Sequence, residues 1–206
     1  MTESALDQWK QIHQPHELGW WLQTGWAADI GWKRDQLVKE YKRLPIVGDA
    51  ARFAGGRLID VGAGPRSFCE FLPVDEIVII EPLADEFRKF NNGAYDLPSV
   101  KRVCPIPAEQ LVGELVCSAD FVWCFNVLNH SYDPLLILEN MVRYLKCGGE
   151  LLLRVRLGEK PSIGHSGIQA GPFYEKMSKL PIRILYDCDA DEARRDIRAV
   201  KRGPVR

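Results

Sequence analysis

The chain has 206 residues, of which 46% are hydrophobic and 27% charged. This composition suits one folded domain with a short extension, and the length is too small for two full domains. Lys and Arg total 27 against 28 Asp and Glu, so the net charge gives no overall attraction to nucleic acid or to a membrane surface.

The amino terminus lacks a basic segment followed by an apolar stretch, which disfavours a signal peptide. No apolar run approaches the roughly 20 residues that a membrane span needs. We therefore expect a cytoplasmic protein with no membrane partner. None of the six cysteines forms a C-x-x-C pair, and no histidines stand at zinc spacing. This spacing predicts reduced thiols and no metal site.

Residues 1–50 predict a helical extension that is unusually rich in tryptophan. A second amphipathic helix is expected over Arg34 to Leu44, where Pro45 ends it. Such an aromatic segment either packs on the helical layer of the domain or closes a binding site as a cap or lid. In the second case, one or two of Trp20, Trp21 and Trp26 are expected to face the site.

Residues 51–206 alternate short apolar runs with helical or turn-rich stretches. Seven candidate strands are Arg57–Val61, Ile77–Glu81, Val100–Cys104, Phe121–Asn126, Glu150–Arg156, Ile182–Asp187 and Ile197–Lys201. Asp133-Pro134 predicts the start of a helix that Gly148-Gly149 would end. The pattern predicts an α/β fold with a Rossmann-like, doubly wound, mostly parallel seven-stranded sheet, closed by a C-terminal antiparallel hairpin.

A glycine-rich turn follows the first candidate strand. In DVGAG, Gly62 and Gly64 remove side chains where the chain turns tightly and where a ligand could approach the backbone. About twenty residues later, Glu81 ends the second strand, where an acid can accept hydrogen bonds from a ribose. Ser67 replaces the third glycine of a dinucleotide fingerprint and Asp60 precedes the loop, which disfavours a pyrophosphate cofactor.

In the order and spacing of five motifs, the sequence resembles the class I S-adenosylmethionine-dependent methyltransferases, especially those that act on small molecules. The resemblance covers residues 57–156, and its motifs are DVGAG, EP at Glu81-Pro82, PAEQL, NVLNHSYDP and LKCGGELLL. It implies S-adenosylmethionine as cofactor and a small-molecule acceptor. The D/N-P-P-Y/F motif of enzymes that methylate nucleic-acid bases is absent, which disfavours a nucleic-acid partner.

The resemblance also implies which residues contact the cofactor. Asp60, Gly62 and Gly64 would border its methionine part together with Asn126, Glu81 would hold the ribose, and Pro82, Leu83 and the backbone of Ala108 would meet the adenine. Pro107 replaces the acid that many relatives use for the adenine amine. Either Glu109 binds that amine or backbone and apolar contacts hold the adenine alone.

His130 is the candidate catalytic residue, because a neutral imidazole could accept a proton from the attacking group. Alternatively, it is a loop histidine that orders the turn before Pro134. The walls of the acceptor pocket are expected from Asn126–Asp133, Gly158–Pro172 and the N-terminal segment. Three other functions are open: a nicotinamide oxidoreductase, an RNA or protein methyltransferase, and a non-catalytic protein that keeps the cofactor site as a scaffold.

Overall fold

The computed structural model describes residues 4–24, 49–90, 94–189 and 194–203. Its strands are β1 (Arg57–Val61), β2 (Glu76–Ile80), β3 (Val100–Cys104), β4 (Ala119–Phe125), β5 (Leu145–Arg156), β6 (Ile182–Asp189) and β7 (Arg194–Lys201). Its helices are α1 (Ala5–Gln8), α2 (Gln14–Gln23), α3 (Ala84–Phe90), α4 (Pro134–Tyr144) and α5 (Ala170–Lys179). The predicted helix over Arg34 to Leu44 lies outside the described residues.

The seven strands form a single sheet in the order β3-β2-β1-β4-β5-β7-β6. Strands β1 to β5 pair in parallel, whereas β7 pairs antiparallel with both β5 and β6. The predicted doubly wound, mostly parallel sheet with its closing hairpin is therefore confirmed.

The central strands β1, β2 and β4 bury both faces, which explains their largely apolar sequences. Ile59 and Val61 of β1 pack into one core with α4, and Leu58 packs into a second core on the opposite face. That second core also contains Phe53 and Phe87. Successive side chains of a strand point to opposite faces, so one short apolar run fills both cores.

Helix α4 ends earlier than the sequence predicts. Asp133 caps its first turn as expected, because its carboxylate accepts a hydrogen bond from the amide of Leu136 at 3.0 Å. The helix ends at Tyr144, however, so Gly148 and Gly149 lie within β5 and do not end the helix. Gly149 serves the sheet instead, since an added Cβ there would lie 2.9 Å from a backbone oxygen of β4.

Residues 5–23 form an almost continuous helix with one widened turn. A π-helical stretch, Trp9–His13, joins α1 to α2, and the amide of Gln14 donates to the carbonyl of Trp9. Pro15 has no amide hydrogen to continue the α-helical pattern, which accounts for the widened turn just before it. In the described part of the chain, no helix is both long and apolar enough to cross a membrane.

Candidate functional site

A cavity of about 490 Å³ opens at the carboxyl ends of β1, β2 and β4. The chain leaves β1 for β2 and β3 on one side and returns to β4 on the other. The strand order therefore switches sides at β1 while the strands stay parallel, which leaves a crevice above β1, where open α/β sheets bind their ligands. The cavity floor is the glycine-rich turn, and the N-terminal helix forms part of its wall.

The glycine turn needs glycine at both predicted positions. Gly62 and Gly64 have φ values of +73° and +62°, in the left-handed region where a side chain is strained. A Cβ on Gly62 would also lie 2.3 Å from Cγ2 of Val127, in the segment after β4. The turn therefore fits closely against that segment and presents its backbone to the cavity.

Glu81 stands at the end of β2 and faces the glycine turn. One carboxylate oxygen accepts from the amide of Gly64 at 2.9 Å, and the other accepts from the amide of Leu83 at 3.0 Å. Burial raises the pKa of Glu81 to about 7, although both amides favour its charged form. Each carboxylate oxygen can accept a second hydrogen bond, so Glu81 can still bind donors in the cavity.

Asp60 lies below the turn and does not line the cavity. Its side chain is buried, and Oδ2 accepts a hydrogen bond from the Ser67 hydroxyl at 2.5 Å. The Ser67 oxygen in turn accepts from the amide of Cys69 at 3.0 Å. Asp60 therefore orders the chain after the glycine turn, and any effect on a ligand would act through that turn.

The structure brings the other predicted site residues together around one cavity. Those that line it are Gly62, Gly64, Glu81, Pro82, Leu83, Ala108, Glu109, Asn126 and His130. Asn126 has a φ of +57°, so β4 ends in a turn that opens the cavity beside it.

Glu109 is buried, with only 5% of its surface exposed. Its Oε1 accepts from the amides of Tyr132 and Asp133 at 2.9 and 3.2 Å. Burial raises the pKa of Glu109, against the effect of these backbone hydrogen bonds. This acid therefore anchors the turn before α4 from its place in the cavity wall.

The N-terminal helix contributes a row of residues to the cavity, of which the sequence suggested only Trp20 and Trp21. They follow helical spacing along one face and all line the cavity: Trp9, His13, His16, Glu17, Trp20 and Trp21. Two of the three tryptophans expected near the site, Trp20 and Trp21, do line it, and Trp26 lies outside the described residues. The three- and four-residue spacing was the signal that could have revealed this face.

Arg156, the last residue of β5, and His165, in the loop that follows it, also line the cavity. The ring centroids of His130 and His165 are 4.5 Å apart, with the rings edge to face. Within the described ranges, no group of three or more His, Cys, Asp or Glu side chains could hold a metal ion.

The site has the features that S-adenosylmethionine requires. Glu81 offers acceptors for ribose hydroxyls, and the left-handed glycines expose backbone beside it. An apolar wall suits an adenine ring, since Leu83 and Phe87 belong to the same core and both line the cavity. Together, the doubly wound sheet and this site define a class I, Rossmann-like methyltransferase.

Comparison with known proteins leads to the same class. The chain belongs to the methyltransferase domain family, whose model matches residues 32–181. It is an S-adenosylmethionine-dependent methyltransferase. No curated protein matches the sequence.

Solved structures with this fold are distant in sequence. One is the Burkholderia thailandensis 1,6-didemethyltoxoflavin-N1-methyltransferase with 1,6-didemethyltoxoflavin and S-adenosylhomocysteine bound (14% identity, 92% of this chain and 91% of that chain, TM-score 0.56). Another is an S-adenosylmethionine-dependent methyltransferase from Mesorhizobium loti (12% identity, 76% and 100%, TM-score 0.58). A third is the [4+2]-cyclase SpnF (16% identity, 74% and 78%, TM-score 0.56). The range of activities among these neighbours shows that the fold alone does not fix the reaction.

Proposed function

We propose that this protein transfers a methyl group from S-adenosylmethionine to a small molecule bound beneath the N-terminal helix. The observation that carries the proposal is a continuous cavity with two different ends. One end has Glu81 and the glycine turn, and the other has His130 and the tryptophans of the N-terminal helix. Its volume of about 490 Å³ lies within the range of small-molecule pockets, roughly 300–1,000 Å³.

We assign the cofactor to the end formed by β1 and β2. Glu81 would accept from the ribose hydroxyls, and the backbone of Gly62 and Gly64 would border the methionine part near Asn126. Pro82, Leu83 and the backbone of Ala108 would contact the adenine. Because Glu109 already holds the turn before α4, its contribution would be to fix that wall, with apolar contacts holding the adenine.

The bound cofactor supplies a methyl group on a positively charged sulfur, which needs no protonated leaving group. The protein's own task is to align the acceptor with that methyl group and to keep water out. The aromatic wall of Trp9, Trp20 and Trp21 suits a flat acceptor and also favours positive charge nearby. His130 lies beside this wall, where it could take a proton from the acceptor.

A two-stage experiment tests this function. Thermal unfolding with S-adenosylmethionine, S-adenosylhomocysteine, NAD and NADP should show stabilisation by the first two compounds alone. Methyl-labelled S-adenosylmethionine is then incubated with the protein and, separately, with a metabolite extract, total RNA or cell protein. Label in the low-mass fraction is expected. Label in RNA or protein instead would contradict a small-molecule acceptor, and no transfer to any fraction would support a non-catalytic scaffold.

A further inference from the structure

All four histidines of the chain line this one cavity, although they come from separate segments. His13 and His16 lie on the N-terminal helix, His130 follows β4, and His165 follows β5. Imidazoles titrate near neutral pH, which makes them the side chains best suited to accept a proton there. Such convergence of imidazoles on one cavity indicates proton transfer there.

Glu17 makes one of these histidines different from the rest. Its Oε2 lies 3.1 Å from Nδ1 of His130, and its Oε1 accepts from the indole nitrogen of Trp21 at 2.7 Å. The His130 Nδ1 atom is buried and makes no hydrogen bond of good geometry among the described residues, so the Glu17 carboxylate approaches it at ion-pair distance. Glu17 is thus fixed by Trp21 on one oxygen and directs its other oxygen to His130.

Glu17 keeps its negative charge in this position. Burial by itself would raise the pKa of Glu17. The interactions of its carboxylate with His130 and with the Trp21 indole outweigh burial and lower that pKa. A carboxylate accepts hydrogen bonds and cannot donate one, so it favours the His130 tautomer with hydrogen on Nδ1. In that tautomer Nε2 carries the lone pair and is the basic nitrogen.

The backbone of His130 is fixed on both sides. Its amide donates to the carbonyl of Val127 at 2.8 Å, and its carbonyl accepts from the indole nitrogen of Trp9 at 2.6 Å. Trp9 and Glu17 belong to the same N-terminal helix, so docking of that helix positions both the backbone and the imidazole of His130. This arrangement follows the logic of a base whose orientation a third group sets.

We propose that Glu17 is a positioning residue that makes His130 a general base, and that the acceptor is a small aromatic molecule with a phenolic hydroxyl. This inference rests on the proposed methyl transfer. The acceptor O–H bond breaks, its proton goes to His130 Nε2, and its oxygen takes the methyl group as the sulfonium becomes a neutral thioether. The proton then passes to solvent.

The chemistry of the site favours a phenol over other acceptors. A phenol with a pKa near 10 is within reach of an imidazole base, whereas an aliphatic alcohol is far less acidic. A neutral amine already has a free lone pair and needs no base to attack. The lining of the cavity suits an aromatic ring, because it includes the aromatic side chains of Trp9, Trp20 and Phe125.

The first test reads the tautomer of His130 directly. In long-range ¹H–¹⁵N spectra of the full chain saturated with S-adenosylhomocysteine, the four imidazoles give the only histidine signals. His130 should show the Nδ1–H tautomer in the wild type. Glu17→Gln should lose this preference, while Lys10→Gln, an exposed change on the same helix, should keep it. An unchanged His130 signal in Glu17→Gln would overturn the positioning role.

The second test uses substituted phenols, each paired with the aniline of the same shape and the benzyl alcohol of similar size, and measures formation of S-adenosylhomocysteine. Phenols should be methylated and their partners not. His130→Asn should lower kcat by roughly 100- to 10,000-fold, and Glu17→Gln by at least about 10-fold. His130→Asn should keep S-adenosylhomocysteine affinity within about twofold of wild type, because His130 is not assigned to the cofactor. Glu17→Gln also removes a charge that acts on Glu81, so its kcat is measured at saturating S-adenosylmethionine.

The outcomes separate this inference from the proposed function. Absence of S-adenosylhomocysteine binding would defeat the proposed function itself. Binding without turnover of any phenol, or equal turnover of the anilines, would overturn only the phenolic acceptor and its base. Loss of turnover with EDTA, restored by Zn²⁺, would assign the histidines to a metal and would also overturn it. The titratable groups that interact with His130 are Glu17, His13 and His165, and any pH profile must include them.

Discussion

The two ends of the cavity are built by different means. The cofactor end consists mainly of a short contiguous turn, which presents its backbone to the cavity, and of one acid, Glu81, which is hydrogen-bonded to that turn. At the acceptor end, side chains come from three separate segments: the N-terminal helix, the turn at Leu128–His130 and the loop that carries His165. Under the proposed function, cofactor recognition would depend on local conformation, whereas acceptor recognition would depend on how distant segments pack.

The largest expected effect comes from filling the glycine turn. Gly62→Val places a branched side chain at a φ of +73°, a strain of roughly 1–3 kcal/mol, and against Val127. Since the turn must move, S-adenosylhomocysteine affinity should fall at least about 100-fold by calorimetry. Gly113→Val is the control, because no atom lies within 4 Å of a Cβ there. Wild-type affinity in a folded Gly62→Val protein would place the cofactor elsewhere.

Glu81 should produce the next largest effect. Glu81→Ala removes the proposed ribose acceptor and should weaken S-adenosylhomocysteine binding by about 1.5–3 kcal/mol, the value of a hydrogen bond to a charged group. Glu86→Ala serves as control, since this acid lies on the neighbouring helix α3 and pairs only with Lys89 among the described residues. Equal affinity in the folded Glu81 and Glu86 variants would remove Glu81 from the site.

The raised pKa of Glu81 adds a dependence on pH. Between its ordinary pKa of 4.5 and about 7, the folded apoprotein holds a proton that the unfolded chain has lost, so the contribution of Glu81 to stability falls as pH rises through this window. Ribose hydroxyls would favour the carboxylate, and cofactor binding at pH 6 should release a proton. Calorimetry in two buffers of different ionisation enthalpy measures this release, which Glu81→Gln should abolish. Release of the same size in that variant would assign the proton to another group.

The sequence predicts the sheet and the cofactor end because both depend on local patterns. Buried parallel strands are short apolar runs, and the glycines with Glu81 follow a fixed spacing after two of them. The predicted end of α4 was wrong. Glycine often ends a helix, but here Gly149 allows close contact with β4. Helix α5 was not predicted, because it begins within the stretch Gly158–Pro172, whose Gly and Pro residues are typical of a loop.

The acceptor end could be predicted only in part, since its residues meet through tertiary packing. His130 was predicted as a candidate because it lies in a recognisable motif, NVLNHSYDP. Glu17, His13 and His165 carry no motif, and nothing local shows that a carboxylate on the first helix reaches a histidine more than a hundred residues later. The burial of Glu109 likewise depends on the turn that it anchors, which its own neighbours in sequence do not reveal.

A smaller effect tests whether the N-terminal helix closes over the cavity as a lid. Trp9→Phe keeps an aromatic ring against Tyr132 but removes the hydrogen bond to the His130 carbonyl. We expect a stability loss of about 0.5–1.5 kcal/mol and faster amide exchange over residues 5–23. S-adenosylhomocysteine should slow exchange there in the wild type and less so in the variant. Equal exchange with and without S-adenosylhomocysteine in the wild type would argue for a fixed wall.

The smallest effect lies at Asn126, where the two ends of the cavity meet. It is the smallest of the expected effects on cofactor affinity, although not on stability. The φ of +57° is tolerated by asparagine and glycine but costs alanine roughly 1–2 kcal/mol, so Asn126→Ala should destabilise the apoprotein and Asn126→Gly should not. The proposed contact with the methionine part of the cofactor involves the side chain, which both variants lack. Both should therefore lose a similar 0.5–1.5 kcal/mol of S-adenosylhomocysteine affinity, about 2- to 13-fold. If Asn126→Gly binds like the wild type and only Asn126→Ala is impaired, Asn126 contributes its backbone turn alone. The boundary between the two ends would then be set, like the glycine turn, by local conformation.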